Sequence, residues 1–227
     1  MKTKLGKKYA FLFLALLVAA LTAFALTGVG SADTQEFYFH DTDYGQTPAN
    51  DGKTHACDKN MDKTSSAGSE ATVAIPNGKV AWWYDDAAQV DSTFGENNWG
   101  IEFFYTSTGT GTVTVNISLV LDDGTIVKEL ASGSGDIVVT EDNKYFQFDC
   151  LDSAGNQDFS AGQRLAVNMS YSGTGILTIH YDSPQAASHV DSPNTDPGFP
   201  VPEQSTIILT STGLLALAGY VLVRKRF

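Results

Sequence analysis

The sequence predicts an all-β fold, an antiparallel β-sandwich of jelly-roll type, with an immunoglobulin-like sandwich as the second arrangement. Three observations carry this. No segment between Asp33 and Tyr181 shows the apolar period of an amphipathic helix. Short runs there alternate in polarity or are rich in β-branched and aromatic residues. Glycine- and aspartate-rich turns separate those runs. The Cys-Trp-Cys spacing of true immunoglobulin domains is absent, which places the jelly roll first.

The clearest strand is Trp99 to Thr106, followed by Thr112 to Leu121. Val113, Val115, Ile117 and Leu119 share one face, and Thr112, Thr114, Asn116 and Ser118 share the other. Asp122-Asp123-Gly124 then turns the chain, so Leu119 to Val127 reads as a hairpin. Further strands are expected at Gln35 to His40, Ala71 to Ile75, Lys79 to Tyr84, Thr125 to Leu130, Asp136 to Thr140, Tyr145 to Cys150, Gln163 to Tyr171 and Gly175 to Tyr181. Ser172-Gly173-Thr174-Gly175 reads as a tight hairpin between the last two.

The two ends read as membrane segments. Lys2, Lys4, Lys7 and Lys8 precede an apolar run from Tyr9 to Val29, and Gly30-Ser31-Ala32 supplies small residues. Residues 1–32 are therefore expected to form a signal peptide cleaved after Ala32, with an uncleaved anchor as the alternative. At the other end, residues 205–223 carry no charged side chain and no histidine. About 20 such residues cross a bilayer as a helix. Arg224, Lys225 and Arg226 follow and are expected to stay cytoplasmic, which places the rest of the chain outside. The β-domain is expected over residues 33–182. Residues 183–202, with Pro184, Pro193, Pro197, Pro200 and Pro202, read as an extended stalk.

The whole chain has 227 residues and a formal charge of −12. The middle is far more acidic. Between Asp33 and Gln204 there are 7 Lys and Arg against all 26 Asp and Glu, a net charge of about −19. Such a surface repels nucleic acid, whose binding rests on clustered Lys and Arg. It suits solubility at a crowded surface and attracts cations.

The C-terminal segment Pro202-Glu203-Gln204, the apolar span and the basic tail together resemble the PEP-CTERM and PEF-CTERM sorting signals of exported proteins. The resemblance covers about 25 residues. The stretch from Ser192-Pro193 to Val201 is similar to the linker of exported archaeal proteins of this kind. The resemblance implies handling by an exosortase or archaeosortase near Pro202, Glu203 and Gln204, with attachment to lipid or to the surface matrix. A plain C-terminal membrane anchor is the other reading of the same residues.

Several side chains are candidates for chemistry. Cys57 and Cys150 are the two cysteines, and outside the membrane two cysteines are expected to pair as a disulfide. Asn116-Ile117-Ser118 and Asn168-Met169-Ser170 are glycosylation sequons on the polar faces of their strands. Trp82-Trp83-Tyr84 must send one Trp inward and the other outward, where it could stack on a sugar ring. Asp58, Asn60 and Asp62 have the spacing that opens a calcium loop. Lys63 and Ser69, however, stand where that loop needs Gly and Glu, so only an irregular calcium site, with Asp41 and Asp43, is left open.

No nucleophile elbow, zinc-binding helix or phosphate loop occurs in the sequence. The expectation is a non-catalytic, surface-anchored structural or adhesive protein with no required cofactor. Its expected partners are the membrane, a sortase-type enzyme and envelope matrix or glycans. A carbohydrate-binding module, resting on Trp82, Trp83, Trp99 and Tyr84, is the alternative, and a polysaccharide-active enzyme the third reading.

Overall fold

The computed structural model describes residues 34–200 apart from 66, 67, 153, 154, 195 and 197. The expected signal segment, apolar span, sorting motif and basic tail lie outside the described residues. Among the described residues there is no helix, and so none long and apolar enough to cross a membrane.

Thirteen strands follow in order: β1 (Glu36–Asp43), β2 (Thr54–Asp62), β3 (Ala71–Pro76), β4 (Lys79–Ala87), β5 (Ser92–Phe94), β6 (Trp99–Ser107), β7 (Gly111–Val120), β8 (Ile126–Ile137), β9 (Thr140–Asp152), β10 (Gln157–Phe159), β11 (Arg164–Gly173), β12 (Ile176–Tyr181) and β13 (His189–Asp191). Hydrogen-bonded neighbours run β13-β1-β2-β4-β11-β7-β8-β9-β6, and β13 also pairs with β6, so these strands close into a barrel-like ring. The pairs are antiparallel except β2–β4, which is parallel. β12 and β3 extend the sheet from β6, and β5 and β10 form a separate two-stranded sheet. The expected two packed sheets are thus joined through one continuous ladder.

Period two decides what enters the ring. On β6, Trp99, Ile101, Phe103 and Tyr105 point inward and are fully buried. On β7, Val113, Val115, Ile117 and Leu119 do the same, as do Leu165, Val167, Met169 and Tyr171 on β11. Trp83 joins them and stacks on Phe39, ring centres 4.4 Å apart. Burying such aromatic side chains contributes roughly 1.5–3 kcal/mol each. The hairpin at Asp122-Asp123-Gly124 forms as expected, with Leu119 opposite Lys128 and Val120 opposite Ile126.

Three expectations are corrected. First, Ser132-Gly133-Ser134-Gly135 does not interrupt β8. A Cβ at Gly135 would come within 2.6 Å of the Phe146 ring, and one at Gly133 within 2.9 Å of Phe148. The glycines keep the strand open so that two Phe rings can lie against it. Second, Ser172 to Gly175 is no hairpin. β11 pairs with β4 and β7, whereas β12 pairs with β3 and β6. The chain crosses from one wall to another there, alongside the β6–β7 connection. Thr174 N–H donates to the Thr110 carbonyl and Thr108 N–H to that of Ile176. A side chain at Gly109 would collide with the Thr174 carbonyl.

Third, the chain beyond Asp182 is no free stalk as far as Pro200. β13 pairs on one edge with β1 (Phe37 opposite Val190) and on the other with β6 (Ile101 opposite Val190). Phe199 is 1% exposed and packs against Phe37, Phe94 and Phe159. Proline and serine content marks a segment that avoids regular structure, and here three residues suffice to enter the sheet.

Asp85 on β4 is 3% exposed, and its Oδ2 has no hydrogen-bond partner among the described residues. Burial pushes its carboxyl up to about 8, although the Asp86 N–H that it accepts pulls the other way. The folded state therefore holds a proton that the unfolded chain releases near pH 4. The stability this contributes is present at low pH and is lost as pH rises towards 8, at about 1.4 kcal/mol per pH unit. In thermal melts from pH 5 to 9, Asp85→Asn is expected to flatten this fall and to melt higher than the parent protein at pH 8. Equal slopes for the two proteins would place the titration elsewhere.

Candidate functional site

The candidate site is the outer face of β2, β4 and β11, where aromatic residues singled out in the sequence, Trp82 and Tyr84, meet His55 and two carboxylates. Trp83 points into the ring, so Trp82 and Tyr84 must point out. They do, yet they are only 1% exposed, because residues 44–53 lie over them as a strap. Tyr44 stacks on Tyr84 at 3.9 Å and 12°, and Trp82 stacks on Tyr84 at 5.6 Å and 12°. Ala49, Val80, Val120 and Ala166 fill in around the three rings. The Arg164 guanidinium lies 5.8 Å from the Tyr44 ring and its Nε donates to Asp122.

A polar network ties the strap down. Trp82 Nε1 donates to Asp51 Oδ2 at 3.1 Å, and Tyr84 Oη donates to Asp58 Oδ1 at 2.9 Å while accepting the Ala49 N–H. His55 lies between the two carboxylates, Nδ1 2.7 Å from Asp58 and Nε2 3.1 Å from Asp51. Burial tends to lower the His55 pKa, but the two carboxylates outweigh it and hold it above the ordinary value. Its contribution to holding the strap is full at acid pH and is lost as pH rises through that raised value. Asp51 is displaced the other way. Burial would raise it, and the hydrogen bonds from Lys53 N–H, His55 and Trp82 bring it below the usual range.

The far end of the strap rests on the β7–β8 turn. Asn50 N–H donates to the Gly124 carbonyl at 2.8 Å. Gly124 has φ +82°, and a Cβ there would strike the Pro48 carbonyl. The turn was legible in the sequence, but the strap was not. Residues 44–53 have no period, and their fit to the sheet depends on partners distant in the chain.

The remaining sequence candidates are placed as follows. Trp82, Trp83 and Tyr84 offer no free ring face, since two are covered by the strap and the third is in the core. Trp99 is also in the core. Cys57 on β2 and Cys150 on β9 are free thiols, and β1, β13 and β6 intervene between their strands around the ring. The expected disulfide is therefore corrected. Burial pushes both thiols up to about 12. Asn116 and Asn168 face each other across the β7–β11 ladder, and Asn116 Nδ2 donates to Asn168 Oδ1 at 3.2 Å. Asn168 is 6% exposed, which leaves a glycan little access.

The calcium candidates do not converge. Asp58, Asn60 and Asp62 lie at alternate positions on β2, about 6.6 Å between successive residues. Asp58 is held by His55 and Tyr84, and Asp62 lies 3.1 Å from His40 Nε2. Lys59 pairs with both Asp41 and Asp43, at 3.0 and 2.7 Å. A site needing 6–8 oxygens around one point is not formed.

No protein-family model matches the chain, and no curated protein matches it by sequence. Among solved structures it is similar to a CocE/NonD family hydrolase from Staphylococcus aureus (TM-score 0.54, 9% identity), covering 74% of this chain and 37% of that one. It is likewise similar to an aminopeptidase from a marine sediment archaeon, Thaumarchaeota archaeon (TM-score 0.53, 9% identity), covering 70% of this chain and 36% of that one. The chain thus spans little more than a third of either protein, and the likeness is one of fold alone. The N-terminal cellulose-binding domain of Cellulomonas fimi β-1,4-glucanase C also matches, at 14% identity over 69% of this chain and 88% of that one, with a TM-score of 0.27, too low to carry an argument.

Two outcomes test this geometry. Gly124→Ala forces a left-handed φ on a residue with a side chain, at a cost of about 1–2 kcal/mol before the collision with Pro48. Limited trypsin digestion is expected to cut at Lys53 faster in this variant than in the parent, and unchanged cleavage would show that the turn does not hold the strap. Under native conditions a thiol reagent at pH 8 is expected to label neither cysteine appreciably, and to label both after unfolding. No labelling of the unfolded chain until a reductant is added, and two labels per chain thereafter, would restore the disulfide.

Proposed function

We propose that this is an exported, surface-displayed β-domain of structural or adhesive character, a jelly-roll-type module that performs no chemistry of its own. The single observation supporting this reading over catalysis is how the reactive side chains are used. His55, Asp51, Asp58, Trp82 and Tyr84 bond to one another in holding down the strap, which commits both imidazole nitrogens, the indole N–H and the phenol O–H to the fold. The acidic charge of about −19 between Asp33 and Gln204 fits display in a crowded, cation-rich exterior. Export through residues 1–32 and retention through the segment from Pro202 to Phe227 complete the proposal, with a sortase-type enzyme acting near Pro202, Glu203 and Gln204.

A carbohydrate-binding module is the second reading, and one geometric fact favours it. Trp82 and Tyr84 are two neighbouring, nearly parallel rings on the outer face of β4, and the strap, with Tyr44 stacked on Tyr84, is what covers them, so a strap that lifts would bare two aromatic rings to a sugar.

Intact mass of the protein recovered from its native membrane tests the first reading. A mass beginning near Asp33 and ending near Glu203 or Gln204, with an added lipid or glycan, is expected. A chain retaining both apolar ends and found inside the cell would overturn it. A glycan array probed with the full chain separates the second. Silence is expected, whereas binding that Trp82→Ala abolishes would make the module a lectin.

A further inference from the structure

The strand that closes the ring also gathers the ligand set of a metal ion. On the outer face of β13, His189 and Asp191 alternate with the inward Val190, and β1 and β6 supply Glu36 and Glu102 on either side. Glu36 is directly opposite Asp191, and Glu102 directly opposite His189. One ligand atom each from Glu36, His189 and Asp191 lies within 4.8 Å of the others. His189 Nε2 is 3.6 Å from Asp191 Oδ1 and 3.7 Å from Glu102 Oε2. A tetrahedral ion with bonds of about 2.1 Å holds its ligand atoms about 3.4 Å apart, so these separations need little adjustment.

Two observations outside the cluster set it apart from an ordinary acidic patch. His189 Nδ1 lies 2.7 Å from the Ala187 carbonyl, which can only accept. The ring proton is therefore on Nδ1, and a neutral His189 presents the Nε2 lone pair to the carboxylates. Metal-bound histidines are oriented in this way by a backbone carbonyl. On the other side, Gly100 faces Asp191, and a Cβ there would lie 3.0 Å from Asp191 Oδ2. The absence of a side chain is what lets the Asp191 carboxylate lean across β6. Tyr38, itself opposite His189, donates to Glu36 and tethers it.

Among the described residues the cluster has no cationic partner other than the imidazole. Among the described residues no Lys or Arg forms an ion pair with Glu36, Glu102 or Asp191. Burial raises the Asp191 pKa, His189 opposes this, and the charges of Glu102 and Glu36 raise it further. A divalent cation would relieve that repulsion.

We propose that Glu36, His189 and Asp191, with Glu102 as a fourth donor, form a binding site for a divalent first-row transition-metal ion such as zinc, which staples β13 to β1 and β6. One imidazole and several carboxylates suit zinc or its neighbours better than calcium. The ion would bridge both ladders of the closing strand, so binding and ring closure are one event.

The test uses the full chain in detergent, made without a histidine tag and stripped with a chelator. Calorimetry and native mass spectrometry with zinc are expected to show one ion per chain. The melting temperature is expected to rise with zinc concentration. His189→Ala is expected to weaken binding about tenfold or more, and Asp62→Asn, in the segment considered for calcium, to leave it unchanged. Should His189→Ala fail to fold, the exposed Glu36→Gln decides in its place, with a several-fold loss expected. No saturable zinc binding, unchanged affinity in the histidine variant (or in Glu36→Gln where that decides), or loss in Asp62→Asn would each overturn the site.

Discussion

Closure of the ring by three residues is the constraint on which the rest of the domain depends. A sheet of this length has two edges unless something joins them. His189–Asp191 joins them by pairing β1 on one side and β6 on the other. Around that seam the inward residues Phe37, Ile101 and Val190 are fully buried. Phe39 N–H donates to the Ser188 carbonyl and Ser192 N–H to that of Gln35, so the pairing continues past both ends of the short strand. Without it β1 would become an edge strand, and the interior that holds Trp83, Trp99 and Tyr105 would open to water. The outer face of this seam is where the carboxylates and His189 collect.

The outer face of β2, β4 and β11, next along the ring, is governed by a different balance. Outward aromatic residues on β4 would expose a large apolar area, and the strap removes it from water. The cost is the ordering of a segment with no regular structure, about 1–2 kcal/mol per residue. It is offset by two ring stacks, the donor bonds of Trp82 and Tyr84, and the charge-assisted bridge through His55. Asp51 and Asp58 therefore act in pairs with aromatic donors rather than as ligands.

Much of the sheet was legible in the sequence, because period two is a local signal. The inward sets of β6, β7 and β11 follow from alternation alone, and the turn at Asp122-Asp123-Gly124 from its residue types. The opposite facing of Trp82 and Trp83 was equally clear. The burial of both was not, since the cover comes from residues 44–53. Topology escaped for the same reason. Ser172 to Gly175 has hairpin composition, but its strands join different walls, and only the close passage against Gly109 reveals why glycine is needed. β2 and β13 were missed because one is rich in polar residues and the other lies in a proline-rich stretch. The set Glu36, His189 and Asp191 joins positions over 150 residues apart, and no spacing in the chain announces it.

Phe199 has a mechanical consequence. Its ring lies among Phe37, Phe94 and Phe159, and the Pro200 carbonyl accepts the Gln89 N–H. Tension applied to the backbone at Pro200 would thus meet the core before it meets any loop. Pulling would have to extract an aromatic ring from between two sheets and then load the short closing strand lengthwise. The domain would resist as a plug seated in its own interior, and would yield all at once rather than unravelling from its end.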